Sequence, residues 1–149
     1  MVPGATDFNT QIRDNLNALK SPAFAITGFY TTSSARPTTT GTTFAAITAP
    51  LALTIYAYGG NLHMGLQGYS DFDGFLLGFS VNGTVYTGNS PSGLQKVISN
   101  AGFHVQYYAT GFTASGNYTA APVWRVAAAT DTGRINTSSL QVTFWVREA

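Results

Sequence analysis

Apolar residues in this chain recur at every second position, in short runs broken by turn residues roughly every ten positions. The closing run is the clearest: Leu140, Val142, Phe144 and Val146 alternate with Gln141, Thr143, Trp145 and Arg147. Side chains along a strand point alternately to its two faces, so this pattern buries one face and leaves the other to water. Phe75, Leu77, Phe79 and Val81 repeat it, as do Leu51, Leu53, Ile55 and Ala57 against Ala52, Thr54, Tyr56 and Tyr58. Phe103, Val105 and Tyr107 alternate with His104, Gln106 and Tyr108 in the same way. Between strands, Asn82-Gly83 is the sharpest local signal, because Asn-Gly adopts the positive φ angles of a type I′ hairpin turn. The spacing predicts strands over 23–32, 43–48, 51–58, 62–69, 75–81, 85–87, 94–98, 103–112, 123–129 and 140–147. Residues 33–43, 87–93, 113–122 and 130–139 read as loops rich in Thr, Ser, Gly and Pro. Short strands with one apolar face each mean an antiparallel sandwich or barrel.

One segment breaks the pattern. In residues 7–20, DFNTQIRDNLNALK, the residues Phe8, Ile12, Leu16 and Leu19 recur at helical spacing and form a narrow apolar stripe. Asp7 or Thr6 is placed to cap its start, Lys20 lies in its last turn, and Pro22 ends it. A helix of about four turns is marginal alone in water, so the stripe needs a cover. It either lies on its own sheet or bundles with copies and docks onto a larger shell, and its place at the extreme end favours the second. The chain thus divides into an arm and helix over 1–22, for anchoring and registration, and a β domain over 23–149.

Composition narrows the function. Only 9% of residues are charged, against about 25% in an average globular protein. So sparse a surface repels its neighbours weakly and suits a protein packed against others. The net charge is +1 with the basic residues scattered, which argues against nucleic acid. There is no cysteine, hence no disulfide or thiolate metal site. No apolar run reaches the roughly 18 residues of a membrane span, and MVPGATDFN lacks the features of a signal peptide. The expectation is synthesis in the cytoplasm without membrane insertion.

Catalytic groups are scarce. Asp71 and Asp73 are the only acids close in sequence, and a calcium site needs about six oxygens or more, so they read as turn residues. His63 and His104 stand on separate strands without metal-ligand spacing. No GxSxG elbow and no phosphate-binding glycine loop is present. Neither an enzyme nor a cofactor is expected. Aromatic residues reach 13%, and Tyr56, Tyr58, Tyr108 and Trp145 are the expected surface-contact set. They serve cross-strand packing, a subunit interface, or stacking on sugar rings.

The leader GATDFNTQIRDNLNALKSP resembles that of many tailed-bacteriophage structural proteins, in which a turn with Pro or Gly precedes an "xxLNxxIRDNxxALKxP" helix. Asn9, Ile12, Arg13, Asp14, Asn15, Leu19 and Pro22 carry the match, with Phe8 in place of the usual Leu. FSVNGTVY over 79–86 resembles the "VDGT" hairpin of small phage β-sandwich proteins. Residues 100–119 resemble their "xAGxHxxxxxxxxxSGxxT" segment in Gly102, His104, Ser115 and Gly116, and LQVTFWVRE resembles their closing strand. Residues 33–73 match no such pattern. The resemblance implies a virion component with a jelly-roll-like β-sandwich, commonly a homotrimer, displayed on a capsid, collar or tail. It implies no catalytic residue. The expected partners are copies of the chain and a major capsid or other virion protein. A decoration (cement) protein on the outer capsid is the first expectation. A short head, collar or tail fibre, or a receptor- or carbohydrate-binding module for a host surface glycan, is the alternative.

Overall fold

The computed structural model describes residues 4–7, 9–12, 23–88 and 93–149. Most of it is antiparallel β-structure in two facing sheets. The strands are β1 (Phe24–Phe29), β2 (Thr38–Thr39), β3 (Ala45–Ala46), β4 (Leu53–Ala57), β5 (Gly60–Ser70), β6 (Phe75–Val81) and β7 (Thr84–Tyr86). They continue as β8 (Gln95–Val97), β9 (Ala101–Phe112), β10 (Gly116–Arg125), β11 (Gly133–Arg134) and β12 (Val142–Glu148). The first sheet has the order β1-β12-β5-β9. In the second, β10 pairs with β3 and β4 along one edge and with β6 along the other, and β6 then pairs with β7 and β8. No two neighbours in the first sheet are consecutive in the chain, so every connection between them passes through the second sheet or an end loop. β11 and β2 form a small ribbon at one end.

The core lies between the sheets and follows from the alternation. Phe75 and Phe79 point inward from β6 and meet Phe103 of β9 and Phe144 of β12. Phe79 stacks on Phe144 with ring centroids 5.9 Å apart, and Phe75 meets Phe103 edge-on at 5.6 Å. Leu62, Met64 and Leu66 of β5 and Val142 and Val146 of β12 fill the space beside them, all fully buried. Each buried side chain of this size contributes about 1.5–3 kcal/mol of transfer free energy. At the turn between β6 and β7, Asn82 and Gly83 both hold positive φ, 48° and 84°, as the type I′ geometry requires. The Asn82 side chain also accepts a hydrogen bond from the Thr119 amide at 2.9 Å, so the hairpin tip is tied to β10.

Several expectations need correction. Residues 113–122 read as loop, but β10 begins at Gly116 and runs through Pro122. Proline is tolerated there because β4 pairs with β10 only as far as Ala120 and β3 takes over at Val123. The Pro122 carbonyl accepts from the Ile47 amide on that side, so the missing N–H faces a gap in the ladder. Strand 123–129 ends at Arg125, and strand 140–147 begins at Val142, leaving Leu140 53% exposed rather than inward. Only Ala45–Ala46 of 43–48 pairs as a strand.

At the N-terminus, residues 5–7 and 9–12 are helical, so the helix starts before Asp7. Asp7 reaches back to accept the Gly4 amide at 3.3 Å, the inward half of a capping box, rather than acting as the cap itself. Phe8, Leu16 and Leu19 of the expected stripe, with Lys20 and Pro22, lie outside the described residues. Ile12 is 43% exposed.

Candidate functional site

The first sheet turns one face to the core and the other to solvent, and the solvent face carries a cluster of aromatic and polar side chains in mutual contact. Strand register sets it out in rows. Phe24 of β1 pairs with Arg147 of β12, which pairs with His63 of β5, which pairs with Tyr108 of β9. The next outward row is Ile26, Trp145, Gly65 and Gln106, and the third is Gly28, Thr143, Gln67 and His104. The first half of β1 places its large apolar residues outward: Phe24 and Ile26 are exposed while Ala25 and Thr27 point in, and the phase reverses in size only at Phe29, which packs against the core.

Gly65 is what lets the indole lie down. A Cβ at this position would collide with Cε2, Cζ2 and Nε1 of Trp145, so the ring crosses directly over the β5 backbone. Resting there, Trp145 meets the His63 ring edge-on at 4.8 Å, with the Arg147 guanidinium 5.8 Å from the indole centre. Tyr108 stands 6.0 Å from the other side of His63, and its hydroxyl accepts from the Asn61 amide group at 2.9 Å.

A chain of hydrogen bonds joins the polar members. Arg147 donates from Nε and Nη2 to His63 Nδ1 at 3.3 and 3.1 Å. An arginine is donor only, so His63 must carry its proton on Nε2, which donates to Gln106 Oε1 at 3.1 Å. The Gln106 amide nitrogen then donates to His104 Nε2, also at 3.1 Å, and places the proton of His104 on Nδ1. The network fixes the side chains in one arrangement and leaves the Nη1–Nη2 edge of Arg147 facing away from His63. Among the described residues no carboxylate pairs with Arg147. The neighbouring Glu148 is engaged elsewhere, accepting the Tyr58 amide at 2.8 Å.

This face forms a shallow depression of about 340 Å³ lined by Phe24, Ile26, His63, Gln106, Trp145 and Arg147. Further along the same strands, Gln67, His104, Leu140 and Gln141 border a second of about 460 Å³. An indole, aliphatic side chains, a fixed amide, two imidazoles and a guanidinium make a surface for recognition. Among the residues lining it, no nucleophile sits beside a base and no two carboxylates form an acid–base pair.

Of the surface aromatics expected from sequence, Trp145 and Tyr108 are brought together through His63. Tyr56 and Tyr58 form a separate edge-to-face pair at 5.2 Å, with Tyr56 on β4 of the other sheet. Phe24, Ile26, Gln106 and Arg147 were not marked by sequence reasoning. The available signal was FAITGF, in which Phe24 and Ile26 alternate with the small inward Ala25 and Thr27.

The acids do structural work. Asp71 accepts from Arg36 through one oxygen and from Arg134 through the other, the latter at 2.8 Å, and its side chain is only 11% exposed. Arg36 also donates to Ser138 Oγ at 2.9 Å, so one carboxylate ties together three end loops. Asp73 accepts the Thr132 amide at 3.0 Å. Among the described residues no group of three His, Asp or Glu is placed to hold a metal ion.

No family model matches the chain, and no curated protein matches it in sequence.

Proposed function

We propose that this chain is a non-enzymatic structural subunit of a bacteriophage particle: a homotrimeric decoration protein bound to the outer capsid, with residues 1–22 as its anchor. The observation that carries the reading is the strand order. Leaving aside the short end strands, β1-β12-β5-β9 faces β4-β10-β6-β7/β8. That is the order two Greek keys wound into a jelly roll would give, an architecture that recurs in viral capsid and lectin domains. The surface agrees. Charged residues are few, and Phe24, Ile26, Tyr56, Tyr58, Ile98 and Leu140 all stand more than 40% exposed. Phe24 and Ile26 stand side by side on β1, and Tyr56 meets Tyr58 at the other sheet, groupings of the kind that contacts with other molecules use.

Light scattering on the full chain tests the assembly, with three copies expected and weaker association after removal of residues 1–22. Mixing with empty particles tests the location. A decoration protein saturates at a copy number set by the lattice and raises the melting temperature of the shell. A chain that stays monomeric at high concentration and leaves the shell unchanged overturns the proposal. The aromatic face of the first sheet favours a second reading, a receptor- or carbohydrate-binding module on a short fibre or collar. That reading expects binding to host cells with no effect on shell stability.

A further inference from the structure

We propose that the solvent face of the first sheet binds a saccharide bearing a carboxylate, with its ring on Trp145 and its acid group on Arg147. The inference goes beyond the particle reading, because it concerns a site complete within one chain and needs no shell.

The argument starts from what a sugar ring demands. A pyranose offers an apolar C–H face and a rim of hydroxyls that both donate and accept. It is held by an aromatic plane flanked by planar polar groups whose hydrogen bonds are already aimed. Trp145 supplies the plane, and Gly65 beneath it removes the side chain that would otherwise tilt the indole off the sheet. Ile26 and Phe24, 56% and 58% exposed, extend the apolar floor. Gln106 and His63 supply the rim. Each is held by bonds to its neighbours in the Arg147–His63–Gln106–His104 chain, so little side-chain freedom is lost on binding.

Arg147 decides the class of sugar. Its Nε and Nη2 grip His63, which orients the guanidinium, while no carboxylate among the described residues neutralises it. The outer Nη1–Nη2 edge has the fork geometry that matches a carboxylate bidentately. One such cation beside a stacking ring suits a uronic or sialic acid. Nucleic acid needs several phosphate contacts, and the face offers a single arginine. The second depression, past Gln67 and His104, gives an oligosaccharide room to continue along the strands.

The test titrates the full-length protein with 3′-sialyllactose, a hyaluronan tetrasaccharide and neutral lactose, reading tryptophan fluorescence and ligand NMR saturation transfer. Trp124 is 2% exposed and Trp145 is half-buried at the surface, so a ligand-induced fluorescence change reports on Trp145. At least one acidic sugar is expected to bind about tenfold or more tightly than lactose. Arg147→Gln, at an exposed position, should erase that preference, and Trp145→Ala should remove the binding of both. Three results overturn the proposal: no response to either acidic sugar at millimolar concentration, equal response to lactose, or binding that survives Arg147→Gln unchanged. A fourth does so in favour of contact between copies: Trp145 shielded from acrylamide in the free protein, with Trp145→Ala reducing the oligomer to monomer. Failure of the particle experiments leaves each of these outcomes readable.

Discussion

At the scale of single residues, the outward face of the first sheet depends on a glycine more than on any polar group. Gly65 is the one outward position of its row with no side chain, and the indole of Trp145 occupies the space. Alanine there must push the ring away, which is inexpensive because the ring is at the surface and free to swing toward water. Gly65→Ala is therefore expected to cost only about 1 kcal/mol of stability while shifting tryptophan emission to longer wavelength. Urea unfolding and an emission spectrum check both halves, and an unshifted spectrum would show that the indole does not rest on the β5 backbone. Asp71 gives a different lesson. From sequence it is one of a pair of turn acids; in the fold it is the shared partner of Arg36 and Arg134, which lie 35 and 63 positions away. Local chemistry names a turn residue correctly and says nothing about long-range partners.

Among the elements, legibility followed the strength of the local pattern. The inward sets of β4, β6 and β9 and the Asn82-Gly83 turn were all readable, because each is dictated by alternation or by φ preference over a few residues. β10 was not. Its outward Asn117 and Thr119, with Gly116 and Pro122, imitate a loop, and only its partners on both edges make it the middle strand of its sheet. The site was half legible: Tyr108 and Trp145 stand out by residue type, whereas the partnership with Phe24, Arg147 and Gln106 arises from register across four strands. The hairpin permits a clean measurement. Gly83 has φ of +84°, and a Cβ added to it would have nothing within 4 Å, so alanine there meets no neighbour and suffers only backbone strain. Gly83→Ala should lower stability by about 1 kcal/mol in urea denaturation with an unchanged slope. A neutral result would mean that the turn is not held in the type I′ form.

For the whole molecule, the sandwich divides labour between its ends and faces. Phenylalanines from both sheets lock the middle, the Asp71 clamp gathers the loops at one end, and one broad face of the first sheet is left to solvent. The first sheet, however, is not closed. β1 and β9 are its margins, and β9 pairs only with β5 among the described strands. Across its twelve residues there is no Lys, Arg, Asp, Glu or Pro. Natural sheets usually blunt such a hem with a charge, a proline or a covering loop. An unguarded selvedge lets one molecule's weave continue into the next, so crowded solutions of this protein should stiffen over days into sheet-rich fibrils that bind thioflavin T. Placing an ammonium on the border with Thr110→Lys should lengthen the lag before they form severalfold, without moving the thermal midpoint by more than about 2 °C.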